Sequence, residues 1–155
     1  LEMEQLIIGE TDRGTYYVRP MSWAGIWDKD GKLSGCNTLY ESESEDDCKS
    51  YVNRRKLLEM VADNPELPVI PMVSYDCVAD DCGYWLSRFG NVEIGEIYEG
   101  EEKVYIRDKD DWNEIFEDIS TAWEVANLSD EEAEKKVDSL DWKKGIIVYI
   151  ESDVG

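Results

Sequence analysis

The chain has 155 residues, a length typical of one domain that buries a substantial core. Its 37 Asp and Glu against 16 Lys and Arg give a formal net charge of −21, and the absence of His excludes catalysis and metal binding through imidazole. Because 42% of the residues are hydrophobic and 17 are aromatic, the sequence predicts a folded protein with an acidic surface and excludes a disordered acidic segment.

Neither a signal peptide nor an apolar run of about 18 residues is evident in the sequence. We therefore expect a cytoplasmic protein that does not enter a membrane and whose four cysteines stay reduced. Met3 is expected to be the natural start, with Leu1 and Glu2 left over from cloning. The expected single domain covers 3–155.

The first 40 residues are predicted to form an antiparallel meander. Strands are expected at 5–9 and 15–19, separated by turn-forming residues at 12–14. A third strand is expected at 22–27, before a turn at 28–31.

A helix is predicted after the meander. Ser42 and Glu45 have the spacing of a capping box, and apolar positions from Cys48 to Ala62 keep one helical face. Asn64-Pro65 is expected to end this helix.

The middle of the chain predicts strands and a hairpin. A strand is expected at 69–75, at a sheet edge because Pro71 lacks an N–H group. The segment Tyr84-Trp85-Leu86 is expected to be anchored in apolar surroundings. Alternating residues at 92–98 and 103–107 predict a hairpin.

Two helices and a strand are predicted near the C-terminus. An apolar stripe predicts a helix over 111–126, and the capping-box spacing of Ser129 and Glu132 predicts the start of another. The run 145–150 is expected to be a central buried strand. These elements together predict a single α+β domain in which a mainly antiparallel sheet packs with two to three helices.

Acidic residues are concentrated in clusters. The stretch from Glu93 to Asp118 holds eleven Asp and Glu and three Lys and Arg, and further clusters lie at 41–47 and 130–134. Carboxylates three or four residues apart on a helix lie about 5–6 Å apart, on the scale of the phosphate spacing along a nucleic-acid strand. The alternative is a solvated face with acids favoured at helix N-termini. The residues predicted to bind a partner are Glu93, Glu96, Glu99, Glu101, Glu102, Asp110, Asp111, Glu114, Glu117, Asp118, Glu43, Glu45, Asp46 and Asp47.

Metal and cofactor sites are not predicted. A four-thiolate zinc site is the alternative, but two of its four cysteines are twelve residues apart, whereas zinc ligands usually come in pairs two to four residues apart. Free, partly buried cysteines are therefore favoured. The aspartate groups do not follow the calcium-loop pattern. The residues considered were Cys36, Cys48, Cys77 and Cys82 for zinc, and Asp76, Asp80, Asp81, Asp28 and Asp30 for other metals.

Catalysis is not predicted either. The chain has no phosphate-cradling glycine loop, and with 37 acidic residues a pair of carboxylates arises by chance. The aromatic residues near the N-terminus are favoured as core over a stacking surface, and the net charge opposes direct binding of nucleic acid. These aromatic residues are Tyr16, Tyr17, Trp23 and Trp27.

In charge, size and absence of catalytic motifs, the whole chain resembles the acidic inhibitors that phages and mobile elements use against host defence. These are the anti-CRISPR proteins and the antirestriction DNA mimics. The resemblance rests on no motif, so no residue role is carried over from it. It implies a stoichiometric inhibitor in the host cytoplasm, without a cofactor, whose carboxylates occupy the Lys- and Arg-lined groove of a nuclease or CRISPR effector. Alternatives are an immunity protein against a toxin nuclease, a small enzyme that uses carboxylates or a cysteine, and a halophile protein.

Overall fold

The structure is a computed structural model that describes residues 5–11, 13–23, 38–77 and 83–152. The chain forms two compact units, the first from 1–92 and 147–155 and the second from 93–146. Seven strands in two sheets and four α-helices lie within the described residues, so the predicted α+β class is confirmed. The single-domain span stays a prediction.

The first sheet consists of three short antiparallel strands, β1 (Leu6–Glu10), β2 (Tyr16–Pro20) and β3 (Tyr40–Ser42), in that order. The first two confirm the predicted strands to within one residue, whereas β3, only three residues long, was not predicted. Met21–Trp23 forms a 3-10 turn, so a strand beginning at residue 22 is wrong. The rest of that predicted strand lies outside the described residues.

Helix α1 (Glu45–Asp63) packs against all three strands of the first sheet. The Tyr51 ring stacks on Tyr40 with ring centroids 4.8 Å apart, and Cys48 is fully buried. Leu58, predicted on the same apolar face, is 66% exposed, because only part of this long helix is covered.

The start of α1 differs from the prediction by two residues. Ser44 is the N-cap, and its hydroxyl accepts a hydrogen bond from the Asp47 N–H at 3.4 Å. The Ser42 hydroxyl instead accepts from the Ser44 N–H at 3.1 Å and donates to the Asp47 carboxylate at 2.8 Å. The capping box predicted at Ser42 and Glu45 is therefore wrong, while the predicted end at Asn64 is confirmed.

The second sheet has the strand order β4-β7-β5-β6 and contains β4 (Val69–Val73), β5 (Ser87–Glu99), β6 (Val104–Ile106) and β7 (Lys143–Ser152). Strand β4 lies at the edge, as Pro71 predicted, and β7 lies inside the sheet with Ile146, Ile147 and Val148 buried. The predicted hairpin is confirmed, since β5 and β6 pair antiparallel with Tyr98 opposite Tyr105.

Three short helices belong to the second unit: α2 (Trp112–Ile119), α3 (Ala122–Asn127) and α4 (Asp130–Asp138). The single helix predicted over 111–126 is wrong, because Ser120 is extended, with ψ 153°, and Thr121 starts a new helix through a capping box with Glu124. The Lys136 ammonium group stabilises this break between α2 and α3 by donating to the Ile119 carbonyl at 3.3 Å. The capping box predicted for α4 is confirmed.

The core of the second unit lies between β6, α2 and α4. Tyr105, Ile115, Phe116, Ala133 and Val137 are buried there. The break between α2 and α3 removes Trp123 from the predicted apolar stripe and leaves it 66% exposed.

The segment Tyr84-Trp85-Leu86 is exposed, contrary to prediction. Tyr84 is fully exposed, Leu86 is 82% exposed and Trp85 is 45% exposed. The segment belongs to neither a helix nor a strand.

Candidate partner-binding surface

The main candidate surface is the acidic segment, which we define as residues 93–118, from the second half of β5 through the hairpin and α2. Of the ten predicted binding residues in this segment, Glu93, Glu96 and Asp110 are half-buried and the other seven are exposed. The second predicted cluster, 43–47, is exposed but belongs to the other compact unit, so each surface is described by itself.

Four carboxylates of the acidic segment already bind cations of this chain. The ion pairs are Glu93–Lys109 at 2.7 Å, Glu96–Arg107 at 3.2 Å, Glu99–Lys143 at 3.3 Å and Glu114–Lys103 at 2.6 Å. The hydrogen bond that Lys103 donates to Glu114 raises the pKa of Lys103 above its usual range. These four acids lack the free charge that a partner would neutralise.

Three further carboxylates stabilise local structure. Asp111 is the N-cap of α2 and accepts from the Asn113 N–H at 3.1 Å, and Asp110 accepts from a backbone N–H in β6. The Tyr105 hydroxyl donates to Asp118, and burial together with this bond raises the pKa of Tyr105. The sequence predicted these acids as partner contacts, but the structure gives them internal hydrogen bonds.

Glu101, Glu102 and Glu117 are the predicted residues that remain. They are exposed, and within the described part of the chain they make no ion pair or hydrogen bond. Asp108, which the prediction did not include, is also exposed and unpaired there, and its φ of 66° lies in the left-handed region. These four carboxylates are the free acids of the segment.

The cluster at 43–47 is mostly paired. Glu45 binds Lys49 at 3.7 Å, Asp46 binds Arg88 at 3.2 Å, and Asp47 accepts from Ser42. Glu43 is exposed and has no partner among the described residues.

Charge is denser in the second unit than in the first. Its 54 residues contain 18 Asp and Glu against 7 Lys and Arg, a net of −11, whereas the other 101 residues carry −10. The start of α4 adds further exposed carboxylates to this unit, of which Glu132 closes the capping box. Asp130, Glu131 and Glu134 have no partner within the described ranges.

A cleft of about 340 Å³ in the first unit bears on the enzyme alternative. Its lining includes two carboxylates, Asp46 and Glu151, with Arg88 between them at 3.2 and 3.9 Å. Both carboxylates therefore share one guanidinium group, whose single positive charge offsets one of their two negative charges.

The cysteines form no assembled site among the described residues. Cys48 and Cys77 are buried free thiols, and burial, with a smaller effect of Asp47, raises the pKa of the Cys48 thiol. Cys36 and Cys82 lie outside the described residues, so the four-thiolate alternative is untested. In the described ranges, no group of three His, Cys, Asp or Glu side chains is placed to hold a metal ion.

Some of the aromatic candidates for a stacking surface lie in the core, and others lie outside the described residues. Tyr17 is buried and Tyr16 is half-buried, as expected for core residues. Trp27, and likewise Asp28, Asp30, Asp80 and Asp81 of the metal alternatives, lie outside the described residues. Asp76 is exposed.

A second cavity, of about 240 Å³, opens beside the start of α2 in the second unit. Asp110 and Asp111 of the predicted site line it, and Arg107, Trp112 and Trp142 line it as well. No pattern in the sequence indicates that Trp112 and Trp142, thirty residues apart, share a cavity, because only the packing of α2 against α4 brings them together.

Comparisons of the chain with protein-family models, curated proteins and solved structures found no match. Among the described residues, no helix combines the length and the apolar character needed to cross a membrane.

Proposed function

We propose that this protein is a cytoplasmic inhibitor of the anti-CRISPR or antirestriction type, which binds the basic nucleic-acid groove of a nuclease or defence complex. The observation that carries the proposal is the net charge of −11 within the 54 residues of the second unit. Of the unpaired carboxylates of that unit, Glu101 and Glu102 lie at the hairpin turn and Glu117, Asp130, Glu131 and Glu134 lie on helices, where the backbone fixes their spacing.

The positions of the free acids favour partner binding over the alternative of a merely solvated acidic face. Acids at a helix N-terminus are explained by the helix dipole, but Glu101 and Glu102 lie in the hairpin turn and Glu117 lies in the last turn of α2, where the dipole disfavours a negative charge. Such placement costs stability through repulsion, and a cationic partner would offset that cost. Opposite charge would also speed association with a Lys- and Arg-lined groove.

Inhibition of DNA cleavage tests the proposal directly. A CRISPR effector nuclease, a restriction endonuclease and a toxin nuclease would each be titrated with the protein while cleavage of a labelled duplex is followed. We expect stoichiometric inhibition of one of the first two enzymes, weakened when the ionic strength rises from about 0.05 to 0.3 M because screening shortens the range of charge interactions. Inhibition that is insensitive to salt, or inhibition of the toxin nuclease alone, would contradict the proposal.

A pair of matched variants locates the binding surface. E101Q/E102Q/E117Q removes three free charges of the acidic segment, and we expect about tenfold weaker inhibition, at ~0.2–1 kcal/mol for each exposed contact. The control E59Q/D63N/E66Q removes three charges from α1 and the loop after it, in the other unit. Equal losses for both variants would show that total charge matters and that the acidic segment is not the contact surface.

A further inference from the structure

The cavity beside α2 differs in chemistry from the open acidic surface around it. Its floor is apolar, since Ile115 is 2% exposed and Val137 is 5% exposed, and the half-buried indole rings of Trp112 and Trp142 line it. A concave space with aromatic walls can hold an apolar stem, which a solvated row of carboxylates does not.

The remaining lining is charged and mostly negative. Asp108, Asp110, Asp111 and Asp138 contribute four carboxylates against the single guanidinium of Arg107. The faces of indole rings also attract cations. Rings and carboxylates therefore select for the same kind of ligand, an amphipathic cation.

Arg107 shows how this environment holds a guanidinium group. Its Cζ atom lies 5.5 Å from the centroid of the Trp142 ring, and its Nη2 donates to Asp138 at 3.1 Å. Its Nη1 donates to Glu96 at 3.2 Å. Within the described residues, no cation of this chain lies over the Trp112 ring. One aromatic wall is thus occupied by a cation of the chain and the other is not.

The volume limits the size of the ligand. Small-molecule sites usually measure about 300–1,000 Å³, and this cavity measures about 240 Å³. The geometry points to a receptor for one arginine or lysine side chain, whose stem lies on the Trp112 ring and whose charged head lies among the carboxylates. That the side chain belongs to a basic partner rests on the proposed function. Buried anchors of this kind contribute much of the binding energy of protein interfaces.

The test uses N-acetyl-arginine amide as the probe and N-acetyl-citrulline amide as its uncharged match, at constant ionic strength. Indole N–H signals of the six tryptophans are followed by NMR and assigned with W112F and W142F. We expect the arginine probe to shift the Trp112 and Trp142 signals saturably, whereas the citrulline probe does not. The exposed Trp123 should stay unchanged.

Two variants that each remove one charge then distinguish binding in the cavity from attraction to the overall negative charge of the protein. D108N should weaken binding of the arginine probe about threefold, as expected for one exposed charge contact. Asn adopts a positive φ readily, so the backbone at residue 108 is preserved. E134Q removes one unpaired charge from α4 outside the cavity and should leave the affinity unchanged. R107Q should strengthen binding, because it frees the Trp142 ring.

Three results would overturn the inference: no saturable shift with the arginine probe, equal shifts with citrulline, or equal effects of D108N and E134Q. The first two comparisons use the unaltered chain, so they do not depend on the folding of a variant. Saturable arginine binding without inhibition of any nuclease would leave the cavity as a cation receptor and reject the proposed function. Inhibition of a nuclease without arginine binding would support the proposed function and reject the cavity as a cation receptor.

Discussion

Gly100 offers a sharp test of the packing at the hairpin turn. Its N–H donates to the Lys103 carbonyl at 2.9 Å, which closes the turn between β5 and β6. A Cβ atom added at Gly100 would lie 2.8 Å from the Lys103 carbonyl oxygen, 2.9 Å from the Asp118 carboxylate and 2.9 Å from the Tyr105 ring. All three distances are shorter than the 3.4–4 Å of ordinary contact, and one of them is to the backbone of the turn.

The substitution G100A should therefore destabilise the protein. Overpacking a well-packed site costs about 1–3 kcal/mol, and the Lys103 carbonyl cannot move away without loss of the turn hydrogen bond. Alanine also restricts the unfolded chain, which stabilises by about 0.4–1 kcal/mol. The overpacking term is the larger one, so we expect a net loss of about 1–2 kcal/mol in the free energy of unfolding.

Urea unfolding followed by tryptophan fluorescence measures this loss as a lower midpoint at unchanged slope. The matched control is E101A, the next residue in the turn, which is exposed and should change stability by less than about 0.5 kcal/mol. Equal midpoints for G100A and E101A would contradict the expected overpacking at Gly100.

Three other perturbations follow from the structure. I115A should lower the free energy of unfolding by about 2–5 kcal/mol, because it empties a core position, whereas I94A, at a side chain that is 41% exposed, should cost much less by the same urea measurement. T121A should lower the free energy of unfolding by about 0.5–2 kcal/mol through loss of the α3 cap. Calorimetry that finds no change would contradict a stabilising role of this cap. Hydrogen bonds from Lys136 and Thr121 lower the pKa of Glu124. The Glu124 carboxylate therefore stabilises the fold above the ordinary glutamate pKa of about 4.3, and this contribution is lost as pH falls. The stability difference between the wild type and E124Q should accordingly shrink in acid, and a difference that stays constant with pH would contradict the shift.

The sequence predicted best those elements whose signal is local. The β5–β6 hairpin follows from alternation on both sides of a turn, and the α4 cap follows from Ser129 and Glu132. The edge position of β4 follows from the missing N–H of Pro71. In each case a few neighbouring residues determine the backbone, so no knowledge of the tertiary structure was needed.

Competing local signals explain the main errors. The apolar stripe over 111–126 and the capping box at Thr121 overlap. In the structure the helix breaks and restarts at Thr121, because Lys136 donates to the carbonyl at the end of α2. The periodicity of the stripe could not reveal this cation, which arrives from α4. The signal that could have revealed the break is the Thr121-to-Glu124 spacing itself, the pattern that correctly predicted α4.

The candidate surface stays a prediction, and the sequence could not show which of its carboxylates are paired within the chain. The density of acids marked 93–118, yet charge alone could not separate Glu114, paired with Lys103, from Glu117, which is free. That distinction depends on which cations the fold brings near each carboxylate. The cavity was missed for the same reason, because its two tryptophans and Asp138 meet only through packing.

The carboxylates of the second unit therefore have three distinct roles with different energetic consequences. Capping acids and paired acids are offset locally, and exposed pairs of this kind contribute about 0–1 kcal/mol each. The free acids have no such compensation, so they account for most of the repulsion that a net charge of −11 places on this unit. They are also the charges that a basic groove would neutralise. Under the proposed function, one set of residues opposes folding and favours binding, so E101Q/E102Q/E117Q should raise stability slightly while it weakens inhibition. A variant that lowered both would instead assign these glutamates a structural role, since loss of binding would then follow from loss of the fold.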